Sequence, residues 1–532
     1  MKNNVIKYIF LLFVVALIIF AFYRVYYEDK KSNDGTEDTT TNVEENISKD
    51  IRLCIVEYDT MNPVLSNNRN VQEISRLLFE PLITLDKNYK PEGAIAEEWS
   101  KVGDTSYVIR LKQNIKWQDG TKVTANDVKF TIDRLRDTQS IYSYNAVHII
   151  ETEVVDSYTI KLNLDSNIPC FEYNLIFPIL SKKFYENEDF SNTEKNAMPM
   201  ASGMYKIVSN DGNTIVLEKN ENYWNKNDKD SKIETIMINL YSSMGEAYNN
   251  FKLGNVDLLT TQNNNVEEYI GTMGYNKKEY TGREHDFLAM NCNHYLLSRS
   301  EVRKAIAYAI DKSSIVSSVF NGEYYIADFP LDCGFWCYNK ENSSIGYNPD
   351  QARQILIDNG WQYKNRYWQK VEDYRTIRLT IDLVVNSENY SQVQVAENIK
   401  SSLESIGIRV NLNKVSYESY NSYLENKSYA MILTGTTIGL TPDLSSYLGE
   451  DNLANYYNEE TTNIINELKN VTTEEKIKEN IKRLAEIYTT EFPYLSLYFN
   501  KNTVIYNSSI TGDVEPNCYS IFYGIENWYR TY

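Results

Sequence analysis

The sequence predicts an α/β protein of more than one domain, on three observations. Short apolar runs of strand length alternate with longer amphipathic segments from residue 51 onward. The chain has 532 residues, more than a single hydrophobic core normally supports. Tyrosine is abundant (44) while glycine (21) and proline (11) are sparse, which favours an ordered globular body over a disordered one.

The elements follow in chain order. Residues 8–23 are almost uninterrupted apolar, and extending the run to Val25, with Tyr23, Tyr26 and Tyr27 beside it, gives a span-length helix. Ala21-Phe22-Tyr23 offers no A-x-A cleavage site, and the first cysteine, Cys54, lies too far on for a lipid anchor. Residues 1–27 are therefore expected to be an uncleaved signal anchor, a single transmembrane helix. Residues 28–50 read as a disordered linker, polar and charged around a Thr39-Thr40-Thr41 run. Strands are expected at 52–57, 107–112, 159–164, 214–219, 235–241 and 377–385, and helices at 301–320, 392–406 and 474–491. From Ile115 to Phe130 the chain reads as a strand, a turn at Asp119-Gly120, and a helix start. There Thr124 is the N-cap and Asp127 reaches back as a shortened capping box.

Composition and motifs exclude several function classes. A net charge of −19 disfavours nucleic acid. Histidine occurs only at His148, His285 and His294, with no H-E-x-x-H. No G-x-S-x-G elbow, Walker A loop or G-x-G-x-x-G is present, so no enzyme activity and no cofactor is expected. His285, His294 and Cys292 are the one candidate metal set, and a structural role is expected for them instead. Of the six cysteines only Cys333 and Cys337 are close in sequence, a small-loop disulfide or two thiols.

Six co-linear segments carry a resemblance. They are Ile74-Ser75-Arg76-Leu77-Leu78-Phe79-Glu80-Pro81-Leu82, the Trp117-Gln118-Asp119-Gly120-Thr121 turn with its helix, and Ala201-Ser202-Gly203-Met204-Tyr205 leading to Asn222-Tyr223-Trp224. Val302-Arg303-Lys304-Ala305 through Ala309-Ile310-Asp311-Lys312, Tyr347-Asn348-Pro349, and Ser405-Ile406-Gly407-Ile408 complete the order. Over roughly residues 51–500 the chain resembles the family 5 extracellular solute-binding proteins of oligopeptide, dipeptide and nickel ABC importers.

The resemblance implies a two-lobed periplasmic-binding-protein-like fold, type II with an extra domain, behind the N-terminal transmembrane helix. Lobe I would combine 51–84, 199–285 and 496–532, the extra domain 85–198, and lobe II 286–495. The implied function is capture of a peptide or similar small solute, delivered to an ABC permease and its ATPase by a monomer outside the cell membrane. A ligand-sensing receptor of the same fold is the alternative. In peptide-binding relatives a "GWxxDYxDP"-like segment supplies an aspartate to the peptide ammonium. Here that segment is 435–447, where Thr436 replaces the tryptophan and Gly439 or Leu440 stands at the first acidic position. Asp443 matches only the second, and Tyr447 ends the segment. Asn67, Asn68, Asn263, Tyr417 and Tyr498 are the other candidate ligand contacts.

Overall fold

The structure, a computed structural model, describes residues 47–262, 266–471 and 473–531. The expected membrane anchor, most of the linker, and Asn263 lie outside the described residues. The linker ends before residue 50, because Asp50 already opens the strand Asp50–Val56. Among the described residues no helix is long and apolar enough to cross a membrane.

A mixed sheet runs through the described body. At one end Arg409–Val415, Thr380–Asn386 and Met431–Thr437 lie side by side, and at the other Leu258–Thr261, Asp50–Val56, Thr235–Tyr241, Thr214–Lys219 and Tyr205–Asn210. Two long antiparallel strands, Tyr275–Met290 and Tyr494–Asn507, join the two ends. Their register shifts between Thr281 and His285 and again between Asp286 and Phe287. A bulge of this kind bends a strand and raises its twist, so the two ends of the sheet turn relative to each other here.

Apolar burial divides along the same line. One core gathers Ile51, Leu53, Trp117, Tyr205, Ile236 and Trp528. A second gathers Leu288, Val302, Ile381, Val395, Leu433 and Leu497. A third, rich in aromatics, holds Phe287, Tyr447, Tyr488 and Tyr494, and takes in Leu85, Tyr89, Tyr173 and Tyr519 from the first half. A separate antiparallel sheet, Ala96–Val102, Ser106–Leu111, Thr159–Leu164 and Ile149–Asp156, packs with the helix Ala125–Asp137.

Local chemistry explains most boundaries. Thr124 donates from its backbone N–H (2.8 Å) and its hydroxyl (3.0 Å) to the Asp127 carboxylate, fixing the start of Ala125–Asp137. The segment before it is a tight loop closed by a Lys116–Lys122 bridge and not an extended strand. The expected helix at 301–320 is two, Ser300–Ala309 and Lys312–Phe320, because Asp311 caps the second by accepting from Ser314 N–H at 3.0 Å. The expected strand at 377–385 also divides. Arg375–Arg378 pairs with Tyr367–Glu372, and Thr380–Asn386 enters the central sheet once Leu379 N–H is taken by the Trp368 carbonyl (2.8 Å).

Candidate functional site

Where the long strands change register, Gly282 meets Asn500 so closely that a Cβ would overlap its carboxamide. The same carboxamide oxygen accepts from Glu284 N–H at 3.0 Å. One residue earlier, Arg283 grips the segment 435–447. Its carbonyl accepts from Ile438 N–H (2.9 Å), and its Nη1 donates to the Ile438 carbonyl (3.1 Å). These two hydrogen bonds tie the crossing strand to this segment.

On the other side of the strand, the buried His285 Nδ1 lies 2.9 Å from the Tyr447 hydroxyl, and its ring stacks on Phe499 at 4.8 Å. Burial and the nearby Lys312 ammonium push its pKa down to about 3, so the imidazole is neutral. Beside it, burial raises the Asp286 carboxyl to about 6, against the hydrogen bond from Gln392 Nε2 (2.9 Å).

The candidate contacts fall in distinct places. Thr436 is exposed and stands opposite His285 in the strand register, so Thr436 and Tyr447 share that neighbour. Asp443 accepts from Ser445 N–H (2.9 Å) and the Ser445 hydroxyl (2.5 Å), as a turn residue before the helix Ser445–Leu448. Asn68 caps the helix Arg69–Leu78, accepting from Asn70 N–H at 2.9 Å, while Asn67 N–H donates to Asp59 at 2.9 Å. Tyr498 is fully buried against Phe320 and Tyr324. Tyr417 is exposed at the start of the helix Tyr417–Asn426, its N–H donating to Glu388. Cys333 and Cys337 are free thiols, as are the other four cysteines. Among the described residues no group of three or more potential ligands is placed to hold a metal ion.

Sequence reading missed a charged cluster beside the crossing. On the helix Arg69–Leu78, Glu73 accepts from Ile521 N–H at 3.1 Å and pairs with Arg76 at 3.9 Å. Arg76 lies 4.2 Å over the Tyr519 ring. Burial raises the Glu73 carboxyl pKa, opposed by the positive charges of Arg76, Arg69 and Arg283. Burial likewise pushes the Tyr280 hydroxyl upward, against a hydrogen bond with Arg69. The spacing of Arg69, Glu73 and Arg76 by four and three residues was a legible sign of one helix face. Nothing local placed Arg283 beside them.

Residues 90–457 match the family described as bacterial extracellular solute-binding proteins, family 5 Middle. The chain belongs to the family 5 extracellular solute-binding proteins. It is 22% identical to the oligopeptide-binding protein AppA of Bacillus subtilis, across 89% of this chain and 90% of that one. It is 24% identical to heme-binding protein A of Haemophilus influenzae, across 82% and 84%. A solved nickel ABC transporter protein of Bacillus halodurans superposes with a TM-score of 0.74 at 21% identity, covering 89% of this chain and 98% of that one. The fold is thus the mixed α/β two-lobe fold of this family.

Proposed function

We propose that this protein captures a peptide or a similar small solute between its two lobes and delivers it to an ABC importer. The observation that carries the reading is the paired crossing of Tyr275–Met290 and Tyr494–Asn507, irregular where it passes between the two cores and coupled through Arg283 to the segment 435–447. Two lobes joined by a pair of bulged strands close by bending at the crossing. The relatives' binding of oligopeptide and heme supports a solute role without fixing the solute.

In this reading lobe I comprises 51–84, 199–285 and 496–532, the extra domain 85–198, and lobe II 286–495. Residues 1–27 tether a monomer to the membrane with the folded body outside. The ligand-contact expectations are Asn67, Asn68, Asn263, Tyr417, Thr436, Asp443, Tyr447 and Tyr498; Thr436 and Asn67 are exposed, while Asn68 and Asp443 also hold turns. The receptor alternative draws on the uncharged Gly439 and Leu440. Reconstituting the full chain with its permease and ATPase in proteoliposomes separates the two. Solute-dependent stimulation of ATP hydrolysis is expected for delivery; binding of solute with no stimulation would overturn it in favour of sensing.

A further inference from the structure

Three short strands, Gln362–Lys364, Tyr367–Glu372 and Arg375–Arg378, form an antiparallel sheet of their own. Pairing of Lys364 with Tyr367 and of Gln369 with Arg378 fixes which side chains share a face. The inner face carries the buried Trp368 and the half-buried Ile377, both against the second core. Lys370 and Glu372 lie on that side and pair at 3.0 Å. The outer face carries Lys364, Tyr367, Gln369, Val371, Thr376 and Arg378, and no carboxylate. Arg378 and Arg409, from separate strands, both lie over the Tyr367 ring, at 5.3 and 5.5 Å. Among the described residues Arg366, Arg375, Arg378 and Arg409 have no carboxylate within 4.0 Å; apart from Arg69 and Arg283, every arginine so placed is in this patch.

The turns of this sheet are strained. Asn365 and Arg366 have φ of 53° and 66°, and Asp373 and Tyr374 have 46° and 61°. A two-residue turn of this hand favours glycine in second place, where Arg366 and Tyr374 stand instead. Tyr374 is fully exposed, so no packing offsets its strain. We propose that the outer face of this sheet rests on an anionic phospholipid surface. Lys364, Arg366, Arg378 and Arg409 meet the lipid phosphates, which guanidinium donors match well, and Val371 and Tyr374 sit at the headgroup boundary. The chain as a whole has 73 acidic against 54 basic residues, so an anionic bilayer repels its other faces and attracts this one. The inference goes beyond solute capture and leans only on the tether, which keeps a bilayer within reach of the body.

The test places the full chain on vesicles of POPC alone and of POPC with roughly one third POPG, and follows amide hydrogen exchange across 362–378. Flotation with the POPC vesicles reads the tether separately, so a failed tether and a failed surface are told apart. Slower exchange of this segment on the POPG vesicles is expected, and its loss at high salt, because salt screens the surface potential. Lys364→Gln together with Arg378→Gln is expected to weaken that protection about fivefold per charge removed, while Arg378→Lys keeps most of it. Both side chains are exposed, and unchanged circular dichroism melting verifies that the variants fold. Tyr374→Gly, which relieves the turn, is expected to lose protection on POPG while melting no lower than the parent. Equal exchange on the two vesicles, or protection that the Gln changes leave intact, overturns the surface. Protection that appears only with the permease present overturns it in favour of a protein partner.

Discussion

At the residue scale, the Asp286 carboxyl at the crossing sets a pH dependence. Its folded pKa of about 6 lies above the ordinary 3.8. The folded state therefore holds the proton more tightly than the unfolded chain, and stability falls as pH rises between those two values. The full effect is on the order of 3 kcal/mol. Asp286→Asn, which keeps a Gln392 partner, is expected to be more stable than the parent at pH 7 and no more stable at pH 3.5, read by urea denaturation at both. At this scale the sequence spoke unevenly. Asn68 and Asp443 were legible as capping or turn types, since their short side chains reach nearby backbone N–H groups wherever they stand. Tyr498 was not, because an aromatic in a strand reads the same whether it faces a cleft or, as here, the Phe320–Tyr324 cluster. Arg283 could not be seen as tying the crossing to the segment 435–447, because its side-chain partner, the Ile438 carbonyl, lies 155 residues away in sequence.

At the element scale, two segments recognised separately prove to be one joint. Ser202 and Gly203 N–H groups donate to the Leu78 carbonyl (3.0 and 2.8 Å), while the Ser202 hydroxyl accepts from Glu80 N–H (3.1 Å). A Cβ on Gly203 would meet the backbone of Leu77 and Leu78 at 2.7 Å. Gly203→Ala should therefore cost about 1–3 kcal/mol in thermal unfolding, since backbone cannot step aside as a side chain can. Asp311→Ala should cost about 1 kcal/mol by uncapping Lys312–Phe320, with Asp311→Asn close to the parent. Strands at 159–164, 214–219 and 235–241 and the helix at 474–491 match the apolar periodicity throughout. The divided elements at 310 and 379 do not, because one apolar pattern runs across a break made by a cap or a cross-strand hydrogen bond.

At the scale of the whole molecule, contacts link the 85–198 region to the second half. Lys90 pairs with Glu474 at 2.7 Å, Trp336 N–H donates to the Asn88 carbonyl at 2.9 Å, and the Trp336 indole N–H donates to the Tyr173 hydroxyl at 2.8 Å. These contacts oppose separation of the two regions. Trp336→Phe, which leaves the Tyr173 hydroxyl without that donor, should shift the equilibrium toward opening by about 1 kcal/mol. A larger radius of gyration in X-ray scattering would show it. The two-lobe arrangement was legible only through resemblance, since no local pattern reveals that strands some 200 residues apart pair across a crossing. Solute capture is tested most directly by native mass spectrometry of the full chain, purified in mild detergent without refolding. The account predicts a bound mass, a peptide series or one defined solute, that leaves on gentle activation. A chain with no bound mass, and no thermal stabilisation by any peptide library, would contradict it.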